Sequence, residues 1–105
     1  MITIDVGKDF SKTPFGRYKT DGEYSAEKFR EEVLLPKLLI EENILVDFSN
    51  VALGVGSSFL EEVFGGLVRK GYDKEELLKK IQVTDTMGFY SKQVIRYIEI
   101  AQKQC

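Results

Sequence analysis

Ile2, Ile4 and Val6 alternate with Thr3 and Asp5, and this period of two predicts a short strand with one buried face. The alternation then stops. Gly7, Pro14, Gly16 and Gly22 punctuate a polar stretch as turn signals, and within it Phe15 to Lys19 is predicted as a second short strand beside the first. From Ser25 the period becomes helical. Ser25 is placed as an N-cap, Ala26 and Glu27 as first-turn residues, and Phe29, Val33, Leu34 and Leu38 as an apolar stripe. Pro36 removes a backbone donor, so a kink or division is expected near Leu35. A kink is favoured, because the apolar pattern resumes at once.

Ile44, Leu45, Val46 and Phe48 run almost continuously apolar, as an interior parallel strand covered on both faces does. Val51 to Gly56 reads as a loop of small residues. A second helix is expected near Ser58, burying Phe59, Leu60, Val63, Phe64, Leu67 and Val68. Ser58 and Glu61 have the spacing of a capping box, and Gly71 is a C-terminal stop. Asp73 and Glu76 repeat the capping pattern for a short helix through Leu77 and Leu78 to about Lys80. Ile81 and Val83 suggest a further strand, and Ser91 is placed as the cap of a last helix carrying Val94, Ile95, Ile98 and Ala101 on one face. Helices between strands imply right-handed crossovers. The expected fold is α/β, a mostly parallel or mixed sheet of about four strands with three to four helices, in one domain over residues 1–105.

Composition narrows the chemistry. With 43% hydrophobic residues, the 105-residue chain holds enough apolar material for one core without staples. The longest apolar run, Val33 to Ile40, is broken by Pro36 and Lys37, and no secretion signal opens the chain, so a cytoplasmic location is expected. A net charge of −2 lacks the basic excess that nucleic acid demands, and neither nucleic acid nor membrane is expected as a partner. The sequence has no histidine and one cysteine, Cys105 at the terminus. These absences remove Ser–His and Cys–His catalysis and ordinary zinc sites. The expectation is a non-enzyme without metal or cofactor.

Asp47-Phe48-Ser49-Asn50-Val51 followed by Gly56-Ser57-Ser58-Phe59-Leu60 resembles the STAS-like family of unknown function, small bacterial proteins related to anti-sigma-factor antagonists. Gly16-Arg17, Asp21-Gly22, the run Ser58 to Glu62 and Gly65-Gly66 carry the same resemblance. It spans roughly Ile2 to Val83. In STAS antagonists a strand ending Asp-Leu-Ser leads to an Asp-Ser-Ser-Gly helix start, and a histidine-kinase-like ATPase phosphorylates the second serine. The resemblance places that serine at Ser58 and its neighbour at Ser57. Here Gly56 stands in place of the aspartate, Phe59 in place of the glycine, and the loop is longer. What the resemblance implies is a cytoplasmic signalling module that binds a histidine-kinase-like ATPase through Asp47, Gly54, Gly56, Ser57, Ser58, Phe59 and Glu62. Its oligomeric state is left open.

Each of these residues also has a purely structural reading. Ser58 can be a cap alone, or a phosphosite at a helix start where exposed N–H groups favour negative charge. Gly54-Val55-Gly56 lacks a third glycine and a P-loop lysine, so a tight strand-to-helix turn competes with a nucleotide or small-ligand cradle. Asp47 can accept hydrogen bonds from loop amides. Arg17 is a surface residue or an anchor for the glycine-rich loop. Gly65-Gly66 in mid-helix implies close packing, against an internal neighbour in preference to a partner helix. Tyr90, Tyr97 and Ile100 form an apolar fringe on the last helix, either ordinary surface or a contact.

Overall fold

The computed structural model describes residues 1–103, so Cys105 lies outside the described residues. Strand β1 (Ile2–Asp5) runs into a one-turn helix, α1 (Val6–Asp9). An irregular strap follows, and helix α2 (26–38) then returns the chain to strand β2 (Ile44–Asp47). Helix α3 (57–69) and helix α4 (Lys74–Lys80) lead to strand β3 (Ile81–Thr84), and helix α5 (Tyr90–Ile100) closes the described chain. The three strands are parallel in the order β1-β2-β3, with Ile4, Val46 and Val83 in register.

That order explains the layering. A sheet that grows in one direction by right-handed crossovers puts every crossover helix on the same face. Ile4, Ile44 and Val46 are fully buried under the helices, whereas Thr3 and Gln82 on the opposite face are exposed and Leu45 is half-buried. The β2 strand is central as its apolar run predicts, but one of its faces stays open, in place of the double cover expected from that run. Among the described residues β2 has one strand on either side, and the crossover helices form a single layer.

The expected fourth strand, Phe15 to Lys19, is absent among the described residues. Gly16 takes φ +91°, a left-handed value that breaks an extended run. The strap's backbone turns instead toward the start of α2: the Phe15 N–H donates to Tyr24 O, and Gly16 O and Arg17 O accept from Ala26 and Glu27. A single 3-10 turn, Lys19–Asp21, completes it.

Several helix ends follow the local chemistry. Ser25 accepts from the Lys28 N–H at 3.2 Å and Asp73 from Glu76 at 3.1 Å, both as N-caps. At Gly71 (φ +106°) the chain closes a Schellman motif, with Gly71 N–H donating to Val68 O and Tyr72 N–H to Leu67 O. Two expected caps differ. Helix α3 begins at Ser57 behind Gly56, which lacks a side chain to cap it, so Ser58 sits inside the first turn and makes no capping box. In α5 the Asp85 carboxylate, not Ser91, accepts from the Tyr90 N–H at 3.1 Å.

Both long helices contain a π-helical stretch, Phe29–Leu34 in α2 and Glu61–Gly65 in α3. In α2 the Leu35 N–H bonds to Arg30 O five residues back, and α-helix follows over Leu35–Leu38, where the Leu39 N–H bonds to Leu35 O. The wider register accommodates the missing proline donor within a continuous helix, so the disruption expected near Leu35 is a change of hydrogen-bond register. Helix α3 is buried on nearly all sides. Phe59, Leu60, Val63, Phe64, Leu67 and Val68 join the core between the sheet, α2 and α5.

Candidate functional site

The loops that follow the strands gather at one end of the sheet. Asp47 ends β2 and its Oδ1 accepts from the Ser49 N–H at 2.8 Å, which folds the chain away from the strand. Asn50 Nδ2 donates to Asp5 Oδ2 at 2.7 Å, tying this loop to the end of β1. A side chain at Gly7 would strike the Asn50 carbonyl, so α1 lies directly on the loop. Ala52 N–H donates to Lys12 O at 2.8 Å and fastens the loop to the strap.

The next residues are held by a tyrosine. The Val55 N–H donates to Tyr90 Oη at 2.8 Å, and Phe48 meets the same ring edge-on at 5.4 Å. Gly54 has φ +73°, and a β-carbon there would stand 2.6 Å from the Tyr90 oxygen. Only glycine suits both the conformation and the space. Tyr90, assigned from its sequence to an apolar fringe, is thus the fastening of this loop.

Between the loop and the strap lies a groove of about 630 Å³, lined by residues 13–17 and 53–56 and closed by Asp21, Ser58 and Phe59. Its rim is apolar and unprotected. Leu53 is 93% exposed and Phe15 73% exposed. Phe59, which lines the groove, continues inward through a run of rings, with Phe29, Phe10 and Tyr24 following at centroid distances of 6.4, 5.3 and 5.5 Å.

The residues singled out from the sequence separate here. Gly54, Gly56 and Ser58 line the groove, and Ser57 is exposed beside it. Asp47 lies outside the groove lining, at the foot of the loop. Phe59 is 3% exposed and Glu62 6%, so Phe59 closes the groove from within the core and Glu62 offers no surface to a partner. The Ser58 hydroxyl is exposed and has no hydrogen-bond partner among the described residues.

Glu62 belongs to an ion cluster that joins the strap to both long helices. Arg30 Nη1 donates to the Glu62 carboxylate at 2.7 Å and to the Glu62 carbonyl at 2.6 Å, with both side chains buried. Arg17 Nη1 bridges Glu61 at 2.5 Å and Glu62 at 3.0 Å, and Arg69 holds Glu61 from the other side. Arg30 Nε also meets Glu31, which Lys70 approaches at 3.0 Å. Burial would raise the Glu61 carboxyl, yet hydrogen bonds from Arg69 and Arg17 outweigh it and hold the group below its ordinary value. Glu31 behaves alike, burial being outweighed by Arg30 and Lys70. Hydrogen bonding to Glu61 chiefly raises Arg17, against its own desolvation.

The glycine pair makes the cluster fit. A β-carbon at Gly66 would collide with the Arg30 guanidinium, and one at Gly65 with the Glu61 carboxylate. The close packing expected from Gly65-Gly66 is therefore internal, and its partner is charged. Arg30 and Arg69 escape notice in the sequence, because their partners are set by tertiary contact. The glycine pair was the available signal.

A one-sided parallel sheet whose strand-end loops frame an apolar-rimmed groove defines a small α/β scaffold with a loop-built surface. The family model for the STAS-like domain of unknown function (DUF4325) matches residues 25–87, more than half of the chain, and the chain belongs to that family. No curated protein and no solved structure matches the chain significantly. No helix among the described residues is long and apolar enough to cross a membrane.

Proposed function

We propose that this domain is a regulatory protein-binding module of the anti-sigma-factor-antagonist type, whose partner is a histidine-kinase-like ATPase. The observation that carries the reading is the apolar rim formed by Leu53 and Phe15 over a groove whose walls are fastened by Tyr90 and the ion cluster. Exposed apolar side chains on a preorganised surface favour protein association, since little ordering entropy remains to be lost. In this reading the domain is not an enzyme and acts in a bacterial cytoplasm. Ser58 is the switch, with Ser57 as its neighbour, and the partner phosphorylates it.

The free, exposed Ser58 hydroxyl supports that role, because a serine occupied as a cap has less freedom to meet a kinase. Incubation with the cognate ATPase and ATP-magnesium should add one phosphate at Ser58, detected by mass spectrometry. Absence of phosphate at both Ser57 and Ser58 counts against the switch. The competing reading, a nucleotide or small-ligand cradle at Gly54–Ser58, is weakened by the Val55 N–H, which already bonds Tyr90 and cannot serve a phosphate. A nucleotide at a hundred times its dissociation constant would stabilise the fold by roughly 2.7 kcal/mol, and a thermal melt with and without ATP separates the two readings.

A further inference from the structure

We propose that Arg17 is the receiving group for a phosphate on Ser58, exchanging its contacts with Glu61 and Glu62 for the phosphate and so seating the modification inside the groove. The inference rests on the Ser58 switch described above and adds its mechanism.

The geometry comes from helix spacing. Glu61 and Glu62 lie three and four residues beyond Ser58, so all three share one helix face. Arg17 Nη1 already rests on that face, touching both glutamates, and Arg17 and Ser58 line the same groove. A guanidinium on the strap is therefore within a side-chain rotation of position 58. Arg17 side-chain exposure is 31%, which leaves it mobile enough to turn, whereas Arg30 is buried on Glu62.

The charges allow the exchange. Arg17, Arg30, Arg69 and Lys70 face Glu31, Glu61 and Glu62, four positive charges against three negative, a surplus of one. When Arg17 leaves, Arg69 still holds Glu61 and Arg30 still holds Glu62. Neither carboxylate is orphaned. A phosphate of about −1.5 to −2 charge with three acceptor oxygens is a better match to a guanidinium fork than a shared carboxylate edge. Asp21, the other charged group lining the groove, is turned to the Tyr18 N–H at 2.9 Å.

The transfer balances simply. Ser58 Oγ bonds to the γ-phosphorus of ATP as its bond to the bridging oxygen breaks, ADP leaves, and the hydroxyl proton passes to a base of the kinase. Once Arg17 folds onto the product, the phosphate fills the space between Leu53 and Phe15 that a partner would enter. A phosphate seated in this way blocks docking by occupancy, without unfolding the helix.

The test installs phosphoserine at position 58 during synthesis of the full chain, so it needs no kinase and stands apart from the question of which enzyme modifies the residue. Phosphorus NMR titration reads the second pKa of the phosphate. The expected result is a value below the ordinary one near 6, restored to ordinary by Arg17→Gln, with Arg17→Lys between. Phosphoserine at Ser57, which does not line the groove, should titrate ordinarily. Circular dichroism confirms folding of each variant. An ordinary pKa at phosphorylated Ser58, or a lowered one insensitive to both Arg17 substitutions in folded protein, overturns the inference. Failure of the ATPase to phosphorylate Ser58 would instead remove the switch while leaving this chemistry intact.

Discussion

The Arg30 guanidinium occupies the space a β-carbon at position 66 would need, and its two hydrogen bonds to Glu62 make the pair the most enclosed charges described. Removing one member leaves the other buried charge with only its partly exposed partners, Glu31 for Arg30 and Arg17 for Glu62, so the cost should approach the about 3–5 kcal/mol of a broken buried pair. Arg30→Met or Glu62→Met alone should therefore destabilise severely in urea unfolding, and the double substitution should recover much of the loss. Equal and additive losses would mean that the ions do not interact. Ser58 gives the opposite expectation. Its hydroxyl has no partner, so Ser58→Ala should shift stability negligibly, whereas Ser25→Ala removes a real cap and should cost about 1 kcal/mol. A loss at Ser58 equal to that at Ser25 would return Ser58 to a capping role.

At the scale of elements, the caps at Ser25, Asp73 and Gly71 were legible because each is satisfied by neighbours a few residues away. Glu61 could not be read locally. Its partner Arg17 lies 44 residues distant, and that contact draws the carboxylate away from the helix start. The strap's missing strand has a similar cause: the left-handed Gly16, with Gly16 O and Arg17 O accepting from Ala26 and Glu27, turns the backbone toward α2. The loop after β2 was recognised by position, but its fastening by Tyr90 was invisible, since the tyrosine comes from the far side of β3. Tyr90→Phe removes the oxygen that receives the Val55 N–H. The variant should lose about 0.5–1.5 kcal/mol and exchange the Val55 amide markedly faster with deuterium. Unchanged exchange at Val55 would show that the loop holds its shape without Tyr90.

Across the whole molecule, the central strand was readable from its apolar run and the helical stripes from periodicity, yet the open sheet face was not. Leu45 looks as apolar as Ile44 in sequence, and only the one-directional strand order leaves its face uncovered. The ion cluster spans strap, α2 and α3, so its protonation bears on the fold as a unit. Glu61 and Glu31 titrate below their ordinary value of 4.5 in the folded chain. A carboxyl depressed on folding contributes stability above its unfolded value and loses it as pH falls through the folded value. Both are partly exposed, so solvent screening keeps the contribution modest. Stability carried by these groups should stay level from neutral pH to near 4.5 and decline below it, with the decline reduced in Glu61→Gln. A Glu61→Gln profile that falls as steeply as the wild type would place the acid sensitivity elsewhere.

The central claim is that the groove between strap and loop binds a protein. Leu53 is the point of greatest exposure on its rim and touches little of the core, so Leu53→Asp should leave the fold intact. Isothermal titration of the domain against the proposed partner, a histidine-kinase-like ATPase, tests the claim most directly. The account predicts binding by the wild type and at least tenfold weaker binding by Leu53→Asp, with unchanged thermal stability. Equal affinity for both proteins, or no heat of binding with either, would contradict it.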